Sequence, residues 1–336
     1  MRKINVAING FGRIGRAAFE IIFDNFPHLN VVAVNDLTDS KTLAHLLQVD
    51  SCYGRYSRKV TSNKEAIIVD GVKIPVLAIK EPAELPWKKL NVDIVLECTG
   101  RFRTKEDLNL HLKAGAKKVI ISAPAKGGVK TIVMGVNENK IGRTDHIVSC
   151  ASCTTNCLAP ATAVIKSAFG IKKALMTTIH SYTADQNLVD GPHKDLRRAR
   201  AAALNMIPTT TGAATATTET IPSLKDKFDG LAVRVPTPVG SICDTVYLLE
   251  KKTTVEAVNK AFKKAAAGKM KGVIEASEEE LVSSDIIGNP HSTIIDLLST
   301  KIVGGDLLKV ISWYDNEWGY SNRLVELAAY LGKFIK

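Results

Sequence analysis

The chain has 336 residues, enough for two domains that each bury a core of their own. Hydrophobic residues at 45% and charged residues at 24% exclude a disordered tail or a fibrous repeat. No run approaches the ~18 apolar residues of a membrane span, and Met1-Arg-Lys-Ile-Asn-Val leads straight into a strand pattern without a signal-peptide block, so a cytoplasmic, non-membrane protein is expected. Lys and Arg exceed Asp and Glu by 45 − 34 = 11, a balance that attracts phosphorylated metabolites, cofactors or nucleic acid alike.

Short apolar runs alternate with helical patterns over the first 150 or so residues, the signature of βαβ units and a mostly parallel sheet. Strands are expected at 3–9, 31–35, 92–98, 118–122 and 146–150. Between the first two, residues 13–25 place Ile14, Ala17, Ala18, Ile21 and Ile22 on one helical face. The second part has long β-rich stretches at 174–183, 231–250 and 293–314, the last broken at Gly304-Gly305, which predict a mixed or antiparallel sheet. Helices are expected at 155–169 and 255–267, making this half α+β. Residues 322–334 read as a final amphipathic helix, and the Thr-rich stretch 209–220 comes nearest to low complexity.

Gly10-Phe-Gly12-Arg13-Ile14-Gly15 follows the first strand and opens the first helix, the context that gives a Gly-x-Gly-x-x-Gly match its meaning. Gly10 allows the tight turn, Gly12 lets a pyrophosphate approach the backbone, and Gly15 lets helix and strand pack closely. Asp36 ends the second strand, where a carboxylate accepts from ribose hydroxyls and repels a 2′-phosphate, favouring NAD over NADP.

Cys153 falls in the first turn of a helix behind the cap Ser152, where the dipole stabilises a thiolate. Cys150 and Cys157 read as buried fillers. A Cys150-x-x-Cys153 redox pair and a zinc site of His146, Cys150, Cys153 and Cys157 remain as rival readings. Among seven histidines, His180 stands at a strand end flanked by small polar residues and is the candidate base; His28, His45, His111, His146, His193 and His291 read as ordinary polar residues. Arg234 lies within the apolar run Val233-Arg-Val-Pro and needs an anionic partner, and a substrate phosphate would suit its fork. The basic run 193–200 and the hydroxyls of 209–211 offer further anion contacts, although a solvated face is the commoner use of such a run.

Taken in order, Gly10-Phe-Gly-Arg-Ile-Gly15, Ala151-Ser-Cys153-Thr-Thr-Asn-Cys157, His180-Ser-Tyr-Thr183, Pro208-Thr-Thr-Thr211-Gly-Ala-Ala, Arg234-Val-Pro-Thr and Trp313-Tyr-Asp-Asn316-Glu-Trp-Gly-Tyr320-Ser resemble the phosphorylating glyceraldehyde-3-phosphate dehydrogenase family over nearly the whole chain. The resemblance implies a Rossmann domain over 1–152, a catalytic and tetramerisation domain over 153–316, and a helix over 317–336 returning to the first. It implies Cys153 as nucleophile and His180 as base, with Thr183 and Arg234 holding the substrate phosphate. Ser152, Thr154, Thr211 and Gly212 resemble the inorganic-phosphate site, with Arg197 close to both. Gly10, Gly12, Arg13, Ile14, Gly15, Asp36, Thr99, Ser122, Asn316 and Tyr320 resemble the NAD contacts, and no metal is implied. The implied reaction is NAD-dependent oxidation and phosphorylation of glyceraldehyde 3-phosphate through a cysteine thioester, in glycolysis or gluconeogenesis, by a homotetramer. Leu37 and Pro192 resemble the NAD-specific members, while 183–192 and Thr215-Ala-Thr-Thr-Glu depart from the usual pattern. Erythrose-4-phosphate dehydrogenase is the rival enzyme, and the basic balance leaves room for RNA binding as a second function.

Overall fold

The computed structural model describes residues 3–335 and divides into two compact units. The first comprises Met1–Ile132, Glu138–Ala151 and Ser321–Lys336; the second comprises Val133–Asn137 and Ser152–Tyr320.

A nine-stranded sheet forms the first unit, in the order 130–131, 147–149, 118–121, 94–97, 4–9, 29–35, 72–77, 66–69, 60–62. Its first seven strands pair in parallel, and the last two add an antiparallel edge that the sequence pattern did not announce. Helix α1 (Arg13–Asn25) matches the expected stripe and buries Ala17, Ala18, Ile21 and Ile22. Two helices were missed, α2 (Ser40–Gln48), capped by Asp39, and α3 (Lys105–Lys113), capped by Thr104. The core gathers Ala7, Ala33, Trp87, Val95, Leu108, Val119 and Ile121. The strand order reverses beside Ile4–Asn9, whose neighbours are Leu29–Asn35 and Ile94–Glu97. In an open α/β sheet this switch point, beyond the strands' C-terminal ends, is where ligands bind.

A seven-stranded mixed sheet forms the second unit, in the order 207–209, 228–235, 171–181, 241–249, 307–314, 293–303, 274–277. The expected run 231–250 is two strands, Phe228–Val235 and Ser241–Leu249, because Pro236 and Pro238 cannot donate to a ladder. Helices α4 (Cys153–Phe169), α5 (Ala213–Thr220) and α6 (Val255–Ala267) belong to this unit. Its core joins Leu158, Ile165, Ala213, Phe262, Met176, Tyr247 and Leu308. The Thr-rich stretch therefore contains a helix: Ala213, Ala214, Ala216 and Thr217 are buried, and Thr218 and Thr220 return their hydroxyls to carbonyls one turn back. Helix α7 (Trp318–Gly332) ends the chain; its residues from Ser321 belong to the first unit, with Leu324, Leu327, Ala328 and Leu331 fully buried.

Candidate active site

In the first unit the glycine turn takes the form its spacing requires. Gly10 has φ +92°, a conformation L side chains avoid, and a Cβ there would lie 2.7 Å from the Thr99 nitrogen. A Cβ on Gly15 would lie 2.1 Å from the Gly10 carbonyl oxygen, so helix and turn touch only because it is absent. Gly12 is the opposite case, with open space around its missing Cβ. The N-terminal backbone of α1 therefore faces an accessible surface, and a dinucleotide pyrophosphate fits it.

Asp36 turns its carboxylate back to the turn, accepting from Phe11 N at 2.8 Å and Thr38 N at 3.0 Å. It lines a cavity of about 440 Å³ with Gly10, Gly12, Asn9, Asn35 and Thr99. Arg13 sends its guanidinium to Asp50 and over the Tyr53 ring, so what Arg13 and Ile14 offer at the turn is backbone. Thr99 is held by Glu97, and Ser122 donates its N–H to the Glu97 carbonyl at 2.9 Å.

In the second unit, α4 begins at Cys153 and is capped by Ser152, whose hydroxyl accepts from Thr155 N at 3.1 Å. Just before the cap, Ala151 adopts φ +58°, a left-handed turn that costs roughly 1–2 kcal/mol outside glycine. The strand Ile171–Ser181 carries His180 to its end, and Cys153 Sγ lies 3.3 Å from His180 Nε2. His180 Nδ1 lies 2.7 Å from the Ser181 carbonyl oxygen and 3.2 Å from Arg234 Nη1, and the shorter of the two contacts favours the proton on Nδ1. Nε2 is thereby left as an acceptor facing the thiol.

Burial opposes charge on each group separately, pushing the Cys153 thiol up and His180 down to about 3, with Arg234 adding to the fall at His180. Passing the proton from Sγ to Nε2 creates both charges together, so their attraction offsets what burial opposes. Arg234, the Thr154 hydroxyl and the Thr154 N–H all favour the thiolate. The helix N-terminus acts in the same direction. Tyr314 sets its ring edge against the imidazole, with centroids 5.9 Å apart, and shares its hydroxyl with Thr154 at 3.0 Å and Thr178 at 2.8 Å.

Arg234 pairs across from His180 on the neighbouring strand. Its Nη1 donates to Thr183 Oγ1 at 2.9 Å and to the Ser181 carbonyl at 3.1 Å, while the buried Nε has no hydrogen-bond partner. An unpaired guanidinium N–H beside a threonine hydroxyl suits an anion. Asp185 accepts from Thr183 and from Arg198 Nη1 at 2.6 Å. Arg198 also donates to Thr209 Oγ1 at 3.0 Å and to the Thr210 carbonyl at 3.1 Å. Arg197 is exposed and donates to the Pro208 carbonyl at 3.3 Å. Ser152, Cys153, Thr154, His180, Thr183 and Arg234 thus form one linked group, to which the structure adds Asp185, Arg198 and Tyr314. A pair of adjacent arginines gave no sequence signal for which one turns inward.

Thr211 accepts from Ala213 N at 3.2 Å, and Gly212 caps α5 with open space at its missing Cβ, so the helix start is accessible. Asn316 is buried, its Oδ1 accepting from Gly240 N at 3.1 Å and Ser241 Oγ at 2.9 Å. That pins the amide so that its NH₂ is left to donate elsewhere; Tyr320 is buried in α7. All six cysteines are free thiols, with Cys150 and Cys157 buried. Among the described residues no cluster of His, Cys, Asp or Glu could hold a metal ion.

The sequence matches two family models, "Glyceraldehyde 3-phosphate dehydrogenase, NAD binding domain" over residues 4–105 and "Glyceraldehyde 3-phosphate dehydrogenase, C-terminal domain" over 152–316. It is 56% identical over 329 residues to the glyceraldehyde-3-phosphate dehydrogenase of Geobacillus stearothermophilus, covering 98% of both chains. It is 55% identical over 331 residues to glyceraldehyde-3-phosphate dehydrogenase 1 of Bacillus subtilis, again covering 98% of both. With its two units carrying a dinucleotide turn and a cysteine–histidine pair, the chain belongs to the glyceraldehyde-3-phosphate dehydrogenase family, NAD-dependent oxidoreductases of the α/β class.

Proposed function

We propose that the protein oxidises and phosphorylates D-glyceraldehyde 3-phosphate with NAD and inorganic phosphate. The observation that carries this reading is Cys153 Sγ at 3.3 Å from His180 Nε2, with Arg234 and Thr183 joined beside them at 2.9 Å. NAD would be held through the Gly10–Gly15 turn, Asp36 and Thr99, with the amide of Asn316 fixing its nicotinamide, and supplies a hydride acceptor when bound.

His180 takes the Cys153 proton, and the thiolate adds to the aldehyde carbon. The developing oxyanion receives the proton from Nε2, giving a hemithioacetal on Cys153. Neutral His180 then removes the hydroxyl proton as that carbon loses hydride, leaving a thioester. An oxygen of inorganic phosphate attacks the thioester carbon, and the acyl phosphate departs as Cys153 thiolate is released. Arg234 and Thr183 anchor the C3 phosphate. Arg198, Ser152, Thr154 and the α5 start at Thr211 and Gly212 serve the attacking phosphate, and Arg198 replaces Arg197 in that role on the strength of its inward bonds.

A homotetramer is supported by apolar side chains on the face of the mixed sheet opposite Met176: Leu175, Leu231, Val303 and Leu307 are 67%, 45%, 67% and 42% exposed. Leu188, Leu196, Leu204 and Met206 of the loop after His180 are exposed as well. Exposed apolar side chains grouped on one face favour a contact between protein copies. No described helix is long and apolar enough to cross a membrane.

The deciding experiment follows NADH absorbance with glyceraldehyde 3-phosphate and NAD, with and without inorganic phosphate. Phosphate-dependent turnover is expected. Turnover indifferent to phosphate, or seen only with erythrose 4-phosphate, overturns the proposal.

A further inference from the structure

Glu97 ends the strand Ile94–Glu97 and is 1% exposed, yet polar groups converge on it from every side. Oε1 accepts from Thr99 N at 2.9 Å and from the Thr99 hydroxyl. Oε2 accepts from Asn9 Nδ2 at 2.6 Å and faces His111 Nε2 at 3.0 Å. Behind His111, the Trp87 indole donates to Nδ1 at 3.0 Å. An indole N–H only donates, so Nδ1 accepts, and the ring proton sits on Nε2, aimed at Glu97. Thr99 N, Thr99 Oγ1, Asn9 Nδ2 and His111 Nε2 then supply four donors to a carboxylate that has about four lone-pair positions. Only the ionised form accepts them all, which is the condition under which a buried charge is tolerated.

The network continues outward. Asn9 Oδ1 accepts from Asn35 Nδ2 at 2.7 Å, and Asn35 holds Ile79 by both backbone groups, at 2.9 and 3.0 Å. Asn9, Asn35, Ile79 and Thr99 line the 440 Å³ cavity, whereas Glu97, His111 and Trp87 are at most 1% exposed. Thr99 N, bonded to Glu97, is also the atom that a Cβ on Gly10 would meet at 2.7 Å, so the turn packs directly against it. The carboxylate therefore fixes a wall of the glycine turn as well as the amides of the cavity floor.

We propose that Glu97 is the positioning residue of the dinucleotide pocket, acting through Thr99 and Asn9 and supported from the core by His111 and Trp87. This rests on the reading of the pocket as the NAD site. A side chain whose rotamer is locked from behind loses less entropy on binding, so the effect appears as cofactor affinity.

The test is titration calorimetry of the full chain with NAD and with ADP-ribose, which lacks the nicotinamide. In Glu97→Gln, an NH₂ replaces an acceptor and meets other donors, and the dissociation constants for both ligands are expected to rise about tenfold or more. His111→Gln can still donate to Glu97 and accept from Trp87, and should stay within about twofold of wild type. His111→Leu removes the donor and should raise both constants about threefold to tenfold. This rescue pattern separates positioning from bulk, since glutamine and leucine both shorten the ring. If Glu97→Gln fails to fold, the His111 pair decides, and equal affinities for the two variants overturn the proposal. Unchanged affinity in Glu97→Gln beside a wild type that binds NAD overturns this assignment alone. A wild type without NAD affinity overturns the pocket reading with it.

Discussion

In the first unit, the groups proposed to meet a dinucleotide are backbone N–H donors at the start of α1, left accessible by the missing Cβ atoms of Gly10, Gly12 and Gly15. In the second unit the groups proposed to react are side chains, Cys153 at a helix start, with His180 and Arg234 side by side on paired strands. A site made of backbone is damaged by adding atoms, and one made of side chains by removing them. The two units therefore separate under mutation, one losing cofactor affinity and the other losing chemistry.

The largest effect is expected at Cys153. Cys153→Ser keeps the helix start and the glycine turn but replaces the thiol by a far weaker nucleophile, so turnover should fall by about 10⁴-fold or more. NAD affinity, measured by calorimetry, should be retained. Loss of NAD binding in this variant would break the separation between the two units.

His180→Asn comes next, with turnover reduced about 10²- to 10⁴-fold, the usual worth of a general base. A second readout has a definite sign. Burial holds the Cys153 thiol above its ordinary value, and without His180 its proton must leave to solvent. Thiolate then accumulates only as pH rises through that raised value. Alkylation of Cys153 by iodoacetamide should be slow near neutrality and climb toward alkaline pH, with its midpoint above that of wild type. A midpoint at or below wild type would mean that His180 does not accept the thiol proton.

How much of this the sequence disclosed follows from the kind of signal each element carries. Helix α1 announced itself through a continuous apolar stripe, and Cys153 and His180 through their places at a helix start and a strand end. Helix α3 buries only Leu108 and His111 along nine residues, so no stripe could show. Its one local signal was the cap, Thr104 with Asp107 three positions on. His111, read as an ordinary polar residue, is fully buried because Trp87 and Glu97 satisfy both ring nitrogens, and both partners are distant in sequence. The rival zinc reading arose from cysteine spacing, which says nothing about where the side chains point; among the described residues no group of His, Cys, Asp and Glu could hold a metal ion.

Within the glycine turn the comparison sharpens to two neighbouring substitutions. Gly15→Ala drives a Cβ to 2.1 Å from the Gly10 oxygen and should cost about 1–3 kcal/mol of stability, read as a lower urea midpoint. Gly12→Ala points its methyl into open space and should leave the fold within about 1 kcal/mol of wild type, as expected for an N-cap glycine. Its methyl nevertheless stands where a pyrophosphate must approach, so the NAD dissociation constant should rise about tenfold. Equal destabilisation of both variants would contradict the geometry.

The last comparison divides two adjacent arginines. Arg198 is tied inward to Asp185, Thr209 and Thr210, and it reaches His180 electrostatically, contributing to the lowering of that histidine. Arg197, one residue earlier, is exposed with a single bond to a carbonyl. A guanidinium held near an anion is worth about 1.5–3 kcal/mol, so Arg198→Ala should raise the KM for inorganic phosphate about tenfold or more. Arg197→Ala should move the same constant by less than about twofold, since an exposed charge is screened by solvent and salt. Repeating both titrations at higher ionic strength gives the control: a residual Arg197 effect should vanish, while the Arg198 effect persists because its bonds are short and partly shielded. If the two variants behave alike, the attraction comes from the basic run as a whole, and the inward turn of Arg198 carries no separate role.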